Sequence, residues 1–182
     1  MKIKKVGLKI VGQNLRLSEN KYLFVHYLKP PKLNFPKYSF RFRKSETNQV
    51  LIFDKVRKKW LVLTPEEWVR QNIILHLIEN MGYPESVFKI ETGLYVNENK
   101  RRSDVLVYKN SKPFILVECK SYNHEINQNV LNQAINYNLA YKCPYIILTN
   151  GIIHSTINVS EEPIHFMNRF PDYNCNIASF NS

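Results

Sequence analysis

The run Phe114-Ile-Leu-Val-Glu118-Cys119-Lys120 is apolar for four residues and then ends in charge. A run of this length just after Asn110-Ser111 reads as a strand leaving a turn. The segment before the turn, Asp104-Val-Leu-Val-Tyr108, is apolar in the same way and begins with a charge. Two such segments around a short turn predict an antiparallel hairpin with its charged residues at the open end. Side chains alternate along a strand, so Asp104, Leu106 and Tyr108 share one face. Phe114, Leu116, Glu118 and Lys120 share another. A two- or three-residue turn sets residue 104 opposite 117 or 118. In either register Asp104 falls within one position of Glu118, and cross-strand neighbours have Cβ atoms about 5 Å apart.

The elements on either side give the hairpin its context. Thr64-Pro65-Glu66-Glu67 opens a helix, with Thr64 as N-cap, Pro65 in the first turn and Glu67 at the capping-box position. Trp68, Leu75 and Ile78 fall near one face, with Val69, Ile73 and Leu77 beside it, so the helix is buried broadly. Gly82 and Pro84 end it, and Val87–Thr92 is a strand. Residues 128–142 form a second helix with Val130, Leu131, Ala134 and Ile135 inward. Pro144–Leu148 is a buried strand closed by Asn150-Gly151, and Ile152–Ile157 pairs back on it. Ahead of the first helix, Tyr38–Phe42, Leu51–Phe53 and Trp60–Leu63 make a small antiparallel meander, with Asp54–Lys59 as its basic connection. No internal repeat is present. This order predicts an α/β mixed sheet flanked by helices, with a small N-terminal β meander. Residues 1–31 read as a separate basic extension, in which Val6, Leu8 and Ile10 alternate and Pro30-Pro31 punctuates. The domain proper is expected over 32–175, with 176–182 as a tail.

A length of 182 residues fits one domain, and 44% apolar residues argue against general disorder. The 26 basic and 15 acidic side chains leave a charge of +11. Residues 1–60 hold 16 basic and 3 acidic groups, whereas 61–182 hold 10 and 12. A basic arm facing a polyanion and a merely solvated basic surface both remain open, because Lys, Asn, Ile and Tyr also share A/T-rich codons. Cys119, Cys143 and Cys175 are widely spaced, which fits neither a disulfide framework nor a zinc site. No run approaches the ~20 apolar residues of a membrane span, and Lys9 interrupts the one signal-like start. A cytoplasmic protein is expected. With five glycines and no G-x-x-x-x-G-K-[ST], no nucleotide-driven motor is expected either.

Converging carboxylates are costly unless a cation or a proton compensates. A hard dication, Mg²⁺ or Mn²⁺, would do so with few protein ligands. Asp104, Glu118 and the backbone carbonyl of Cys119 are candidate ligands. Lys120 could orient or deprotonate a water and stabilise charge on a phosphate. Together these outline phosphodiester hydrolysis. The plainer reading is a surface ion pair between Lys120 and Asp104 or Glu118, worth ~0–1 kcal/mol. Gln133 and Tyr137, at i and i+4 on one side of the second helix, could reach the same sheet end with their polar tips. The five histidines are dispersed, and Cys119 reads as a packed strand residue.

R-x-D, an apolar strand, V-E-C-K and then Q-x-x-x-Y resembles the PD-(D/E)XK nuclease superfamily. More narrowly, the chain resembles the N-terminal domain of type I restriction enzyme R proteins, from about Leu33 to Tyr173. The likeness includes Ile52-Phe53-Asp54, Arg57-Lys58-Lys59, Thr64 through Gln71, Gly82-Tyr83-Pro84 and Leu148 through Gly151. It implies a restriction-endonuclease-like fold and a metal-dependent endonuclease acting on DNA. Asp104 and Glu118 would be metal ligands and Lys120 the catalytic lysine. Gln133 and Tyr137 would contact DNA or support the site. Glu67 matches the family's further acidic ligand, and equally it needs no role beyond the helix start. Arg102 would hold a phosphate or be solvated; Arg70 would anchor the sheet or a carboxylate. Partners implied are DNA and other restriction-system subunits, and a homodimer would ease double-strand cutting. The contrasting reading is a catalytically inactive nucleic-acid-binding or scaffold domain of the same fold. RNA or a branched junction are further substrates to weigh.

Overall fold

The computed structural model describes residues 30–96 and 99–174 and, within them, all side chains except those of 91–103. The proposed strand at Val6–Ile10, the Arg102 side chain, Cys175 and the 176–182 tail lie outside the described residues.

Strands β1 (Phe42–Lys44), β2 (Val50–Asp54) and β3 (Lys59–Val62) form the antiparallel meander. Helix α1 (Pro65–Leu75) follows directly. Strands β4 (Phe88–Val96), β5 (Asn99–Lys109) and β6 (Lys112–Cys119) lead to helix α2 (Gln128–Tyr141). Strands β7 (Tyr145–Thr149), β8 (His154–Asn158) and β9 (His165–Met167) complete a six-stranded sheet in chain order. The β6–β7 pair is parallel, with α2 as its crossover, and the other pairs are antiparallel. The mixed α/β architecture with a small meander is as the sequence predicts.

Several details differ. The first meander strand pairs only from Phe42, because Tyr38 turns its hydroxyl onto His76 and Asn80. Helix α1 stops its α-type bonding at Leu75 and widens into a π turn over His76–Asn80, before Gly82 at φ +71° ends it. The β4–β5 pairing continues past the apolar core, from Thr92↔Ser103 out to Val96↔Asn99. Strand β9 is not foreseen; its three residues are too few to show a period.

The sheet is buried on both faces, which is why β6 is a continuous apolar run rather than an alternating one. Val69, Ile73 and Leu77 of the α1 layer pack on Val105, Val107, Ile115, Val117 and Ile147. Val130 and Ala134 of α2 pack on Leu106, Leu116, Ile146, Leu148 and Ile157 of the opposite face. Gly151 holds φ +84°, and a Cβ there would meet Leu33 at 2.8 Å. The close fit lets Asn34 N–H reach the Gly151 carbonyl at 2.7 Å, which seats the start of the domain on the β7–β8 turn.

Candidate active site

Asn110 and Ser111 both take positive φ, 50° and 61°, the conformation of a two-residue hairpin turn. A bulge between Val107 and Tyr108 then shifts the register by one, giving Val105↔Val117. The next step along the ladder sets Asp104 beside Glu118, the second of the two registers the turn allows. Asp104 Oδ2 accepts from the Cys119 N–H at 2.7 Å, and Oδ1 accepts from Arg70 Nη2 at 2.8 Å.

Glu118 lies on the α2 side of the sheet and is 3% exposed. Its Oε1 accepts from Lys120 Nζ at 2.8 Å and Gln133 Nε2 at 3.0 Å. Its Oε2 is buried with no hydrogen-bond partner. Burial, then the charge of Asp104, pushes its pKa up to about 7 against the pull of Lys120. Lys120 also donates to Gln133 Oε1 at 3.2 Å, and Gln133 Nε2 donates to the Tyr137 hydroxyl at 2.9 Å. Burial disfavours the Lys120 charge, but the Glu118 hydrogen bond and the charges of Glu118, Asp104 and Glu66 outweigh it. Its pKa rises, so Lys120 is an ammonium. Cys119 packs its side chain in the α1-side core, where burial and Asp104 push the thiol up.

On α1, Thr64 Oγ1 accepts from Glu67 N–H at 3.0 Å, as a cap should. The reciprocal half of the capping box is absent: the Thr64 N–H goes to Val62 O instead. The Glu67 carboxylate points away from it. Oε1 accepts from Arg57 Nη2 at 3.0 Å and Gln71 Nε2 at 2.8 Å, and Oε2 accepts from Arg70 Nη1. Asp54 continues the network, accepting from Arg57 Nε at 2.5 Å and Gln71 Nε2 at 2.9 Å. Arg70 binds Glu66, Glu67 and Asp104 together. Burial opposes its charge, but Asp104, Cys119 and Glu67 hold its pKa above the ordinary arginine value. Of the two readings of Arg70, anchoring carboxylates describes its contacts.

Asp104, Glu118, Lys120, Gln133, Tyr137 and Arg70 are thus brought together, and Glu67 joins them through Arg70. A cleft of about 370 Å³ opens between β3 and the start of α1, lined by Val62, Thr64, Glu66, Arg70 and Asp104 among others. Glu66, Asp54, Arg57 and Gln71 were missed as site residues. The i,i+3 and i,i+4 spacings of Glu66, Glu67, Arg70 and Gln71 on one helix were the available signal.

Among the described residues no three His, Cys, Asp or Glu side chains stand together as a metal cluster. The donors present nonetheless fit a small hard dication. They are two carboxylates on neighbouring strands where β5 and β6 part, one of them with a buried oxygen lacking a partner. Mg²⁺ draws few protein ligands and keeps its waters.

A mixed sheet between helices, with two carboxylates and a lysine on β5 and β6 and just beyond, and a glutamine–tyrosine pair on α2 beside them, defines an α/β domain with a polar site. A family model, type I restriction enzyme R protein N terminus (HSDR_N), matches residues 65–171. That is more than half of the chain, and the chain belongs to this family. The match starts at Pro65, so the resemblance read over Leu33–Thr64 lies outside it. A solved chain described as a fragment of an HsdR subunit of a type I restriction enzyme from Vibrio vulnificus YJ016 is also similar. Its TM-score is 0.47 and its identity 18%, over 61% of this chain. The match spans 24% of that chain's length. No curated protein matches. Among the described residues no helix is long and apolar enough to cross a membrane.

Proposed function

We propose that the chain is a metal-dependent endonuclease of the PD-(D/E)XK type that hydrolyses DNA phosphodiesters. The observation that carries this reading is Glu118, a buried carboxylate beside Asp104 with one oxygen unmatched and an ammonium on the other. Asp104 and Glu118 would hold Mg²⁺ or Mn²⁺, with the Cys119 carbonyl as a further donor; Glu67, the further acidic ligand the resemblance offers, has both oxygens taken by Arg57, Gln71 and Arg70. The bound ion would polarise a phosphate oxygen and lower the pKa of a water. Arg70 and the Cys119 N–H orient Asp104 from both sides. Lys120, kept protonated by its neighbours, stabilises negative charge on the phosphate. Gln133 spans Lys120, Glu118 and Tyr137 and so sets the ammonium's position. Arg102 would take a neighbouring phosphate. We read residues 1–31 as a separate basic extension that strengthens DNA binding, and 32–175 as the nuclease domain, working in the cytoplasm with other restriction subunits or as a homodimer.

The direct test is cleavage of supercoiled plasmid with Mg²⁺ by wild type, Asp104→Ala and Lys120→Ala. Each variant is expected to lose about 10²–10⁴-fold. Equal activity in all three would place the cutting elsewhere. One observation favours an inactive scaffold as the second reading: both Asp104 oxygens, Lys120 Nζ and the Gln133 amide are already engaged within the chain. DNA binding without cleavage under any divalent ion would decide for it.

A further inference from the structure

The two faces of the meander differ in kind. The inner face carries Phe42, Ile52 and Leu61, paired directly across the sheet, and Phe42 packs on Trp68 of α1. By alternation the outer face carries Arg41, Arg43, Leu51, Phe53, Trp60 and Val62. The Arg41 guanidinium carbon lies 4.3 Å from the Phe53 ring centre and 5.4 Å from that of Trp60. Arg43 lies 4.5 Å from Trp60. Both arginines are exposed, and among the described residues neither has a carboxylate within ion-pair distance. Of the other basic groups nearby, Arg57 is paired with Asp54 and Glu67, and Lys55 and Lys58 with Glu85.

Two unneutralised guanidinium groups stacked on aromatic rings are not needed to hold the sheet, whose core lies on the other face. Stacking covers one guanidinium plane and leaves its in-plane N–H donors pointing sideways into solvent, where they suit phosphate oxygens. Both side chains are exposed, so a flat partner can reach them. A nucleic-acid base is such a partner, and bases are available for stacking only where they are unpaired. Residues 38–63 carry seven basic and two acidic side chains, which favours a polyanion. The face also leads somewhere: Val62, at its end, lines the cleft that contains Asp104 and Arg70.

We propose that the outer face of the meander is a track for a single nucleic-acid strand entering the site, with Arg41 and Arg43 taking phosphates and bases. This rests on the nuclease reading for its destination, but not for its binding. The meander lies ahead of the residues matched by the family model, which start at Pro65.

The test is equilibrium binding in EDTA, so that no cleavage occurs. The ligands are an oligothymidylate of about 20 nucleotides, longer than the ~4–16 that an OB fold covers, and a duplex of equal length. In a Trp68→Phe background Trp60 is the remaining tryptophan and reports directly. The oligothymidylate should quench it and bind more tightly than the duplex. Arg41→Ala/Arg43→Ala should weaken single-strand binding about tenfold or more. It should also flatten the log–log salt slope by about 1.4, at ~0.7 per phosphate contact. Arg41→Lys/Arg43→Lys should retain the slope and lose affinity severalfold, because an ammonium does not stack. Unchanged binding by the alanine pair, or an equal loss for duplex and single strand, would overturn the track. If wild type cuts no DNA while the alanine pair still loses the oligonucleotide, the nuclease reading falls and the track stands. If wild type cuts and the alanine pair binds and cuts equally well, the track alone falls.

Discussion

Glu67 and Glu118 are both buried carboxylates, with side chains 7% and 4% exposed, yet their surroundings differ. Glu67 has a donor on each oxygen, from Arg57, Gln71 and Arg70. Glu118 has two donors on one oxygen and none on the other. Burial of a charge is costly unless it is compensated, so the first is a finished structural joint. The second keeps an unmet valence in reach of a second carboxylate. Incomplete compensation, rather than burial itself, separates the candidate catalytic acid from the structural one.

The strongest way to break this contrast is Glu118→Gln. It should lower plasmid cleavage by about 10²-fold or more while moving the urea midpoint little, since the amide still accepts from Lys120. A large loss of stability would make Glu118 a joint like Glu67. Glu67→Gln should do the reverse. It leaves Arg57 and Arg70 without their shared charge and should cost about 3 kcal/mol in denaturant unfolding. Cleavage by the folded fraction should stay within about fivefold, or ~1 kcal/mol. A hundredfold loss with the fold intact would instead make Glu67 a metal ligand.

These comparisons belong above pH 7, because a second pair of groups titrates just below. Burial lowers the pKa of both His76 and His154, and the charge of His154 lowers His76 further. As pH falls through about 6.5, the unfolded chain takes up protons that the folded histidines refuse. The histidine contribution is therefore full above that pH and declines below it until the folded values are reached, while Glu118, raised to about 7, binds its proton first in the folded state and works in the opposite sense. Urea midpoints at pH 7.5 and 5.5 in a Glu118→Gln background would show the histidine part, and adding His76→Gln/His154→Gln should flatten the difference. The smallest effect is expected from Tyr137→Phe. It removes the hydroxyl that accepts from Gln133, about 1 kcal/mol and roughly a fivefold loss of cleavage.

The convergence of Asp104 and Glu118 was legible because a hairpin between two apolar runs leaves few registers. The choice between two of them was not, since it depends on a bulge at Val107–Tyr108 that carries no residue signature. Gln133 and Tyr137 were legible from helical spacing. The engagement of Glu67 was hidden because Arg57 arrives from a different element, the β2–β3 turn. The π turn after Leu75 breaks the helical period without a proline or glycine to announce it, and β9 is too short to have a pattern.

The contact between Asp104 and the Cys119 N–H has a consequence for the fabric of the sheet. Where β5 and β6 part, a side chain supplies the last rung of the ladder in place of a backbone carbonyl. Position 104 therefore has two duties that different substitutions pull apart. Asparagine can keep the rung and lose the charge, whereas alanine strands the amide at the mouth of the cleft. The site is thus not fixed onto a completed sheet; the sheet is finished by it.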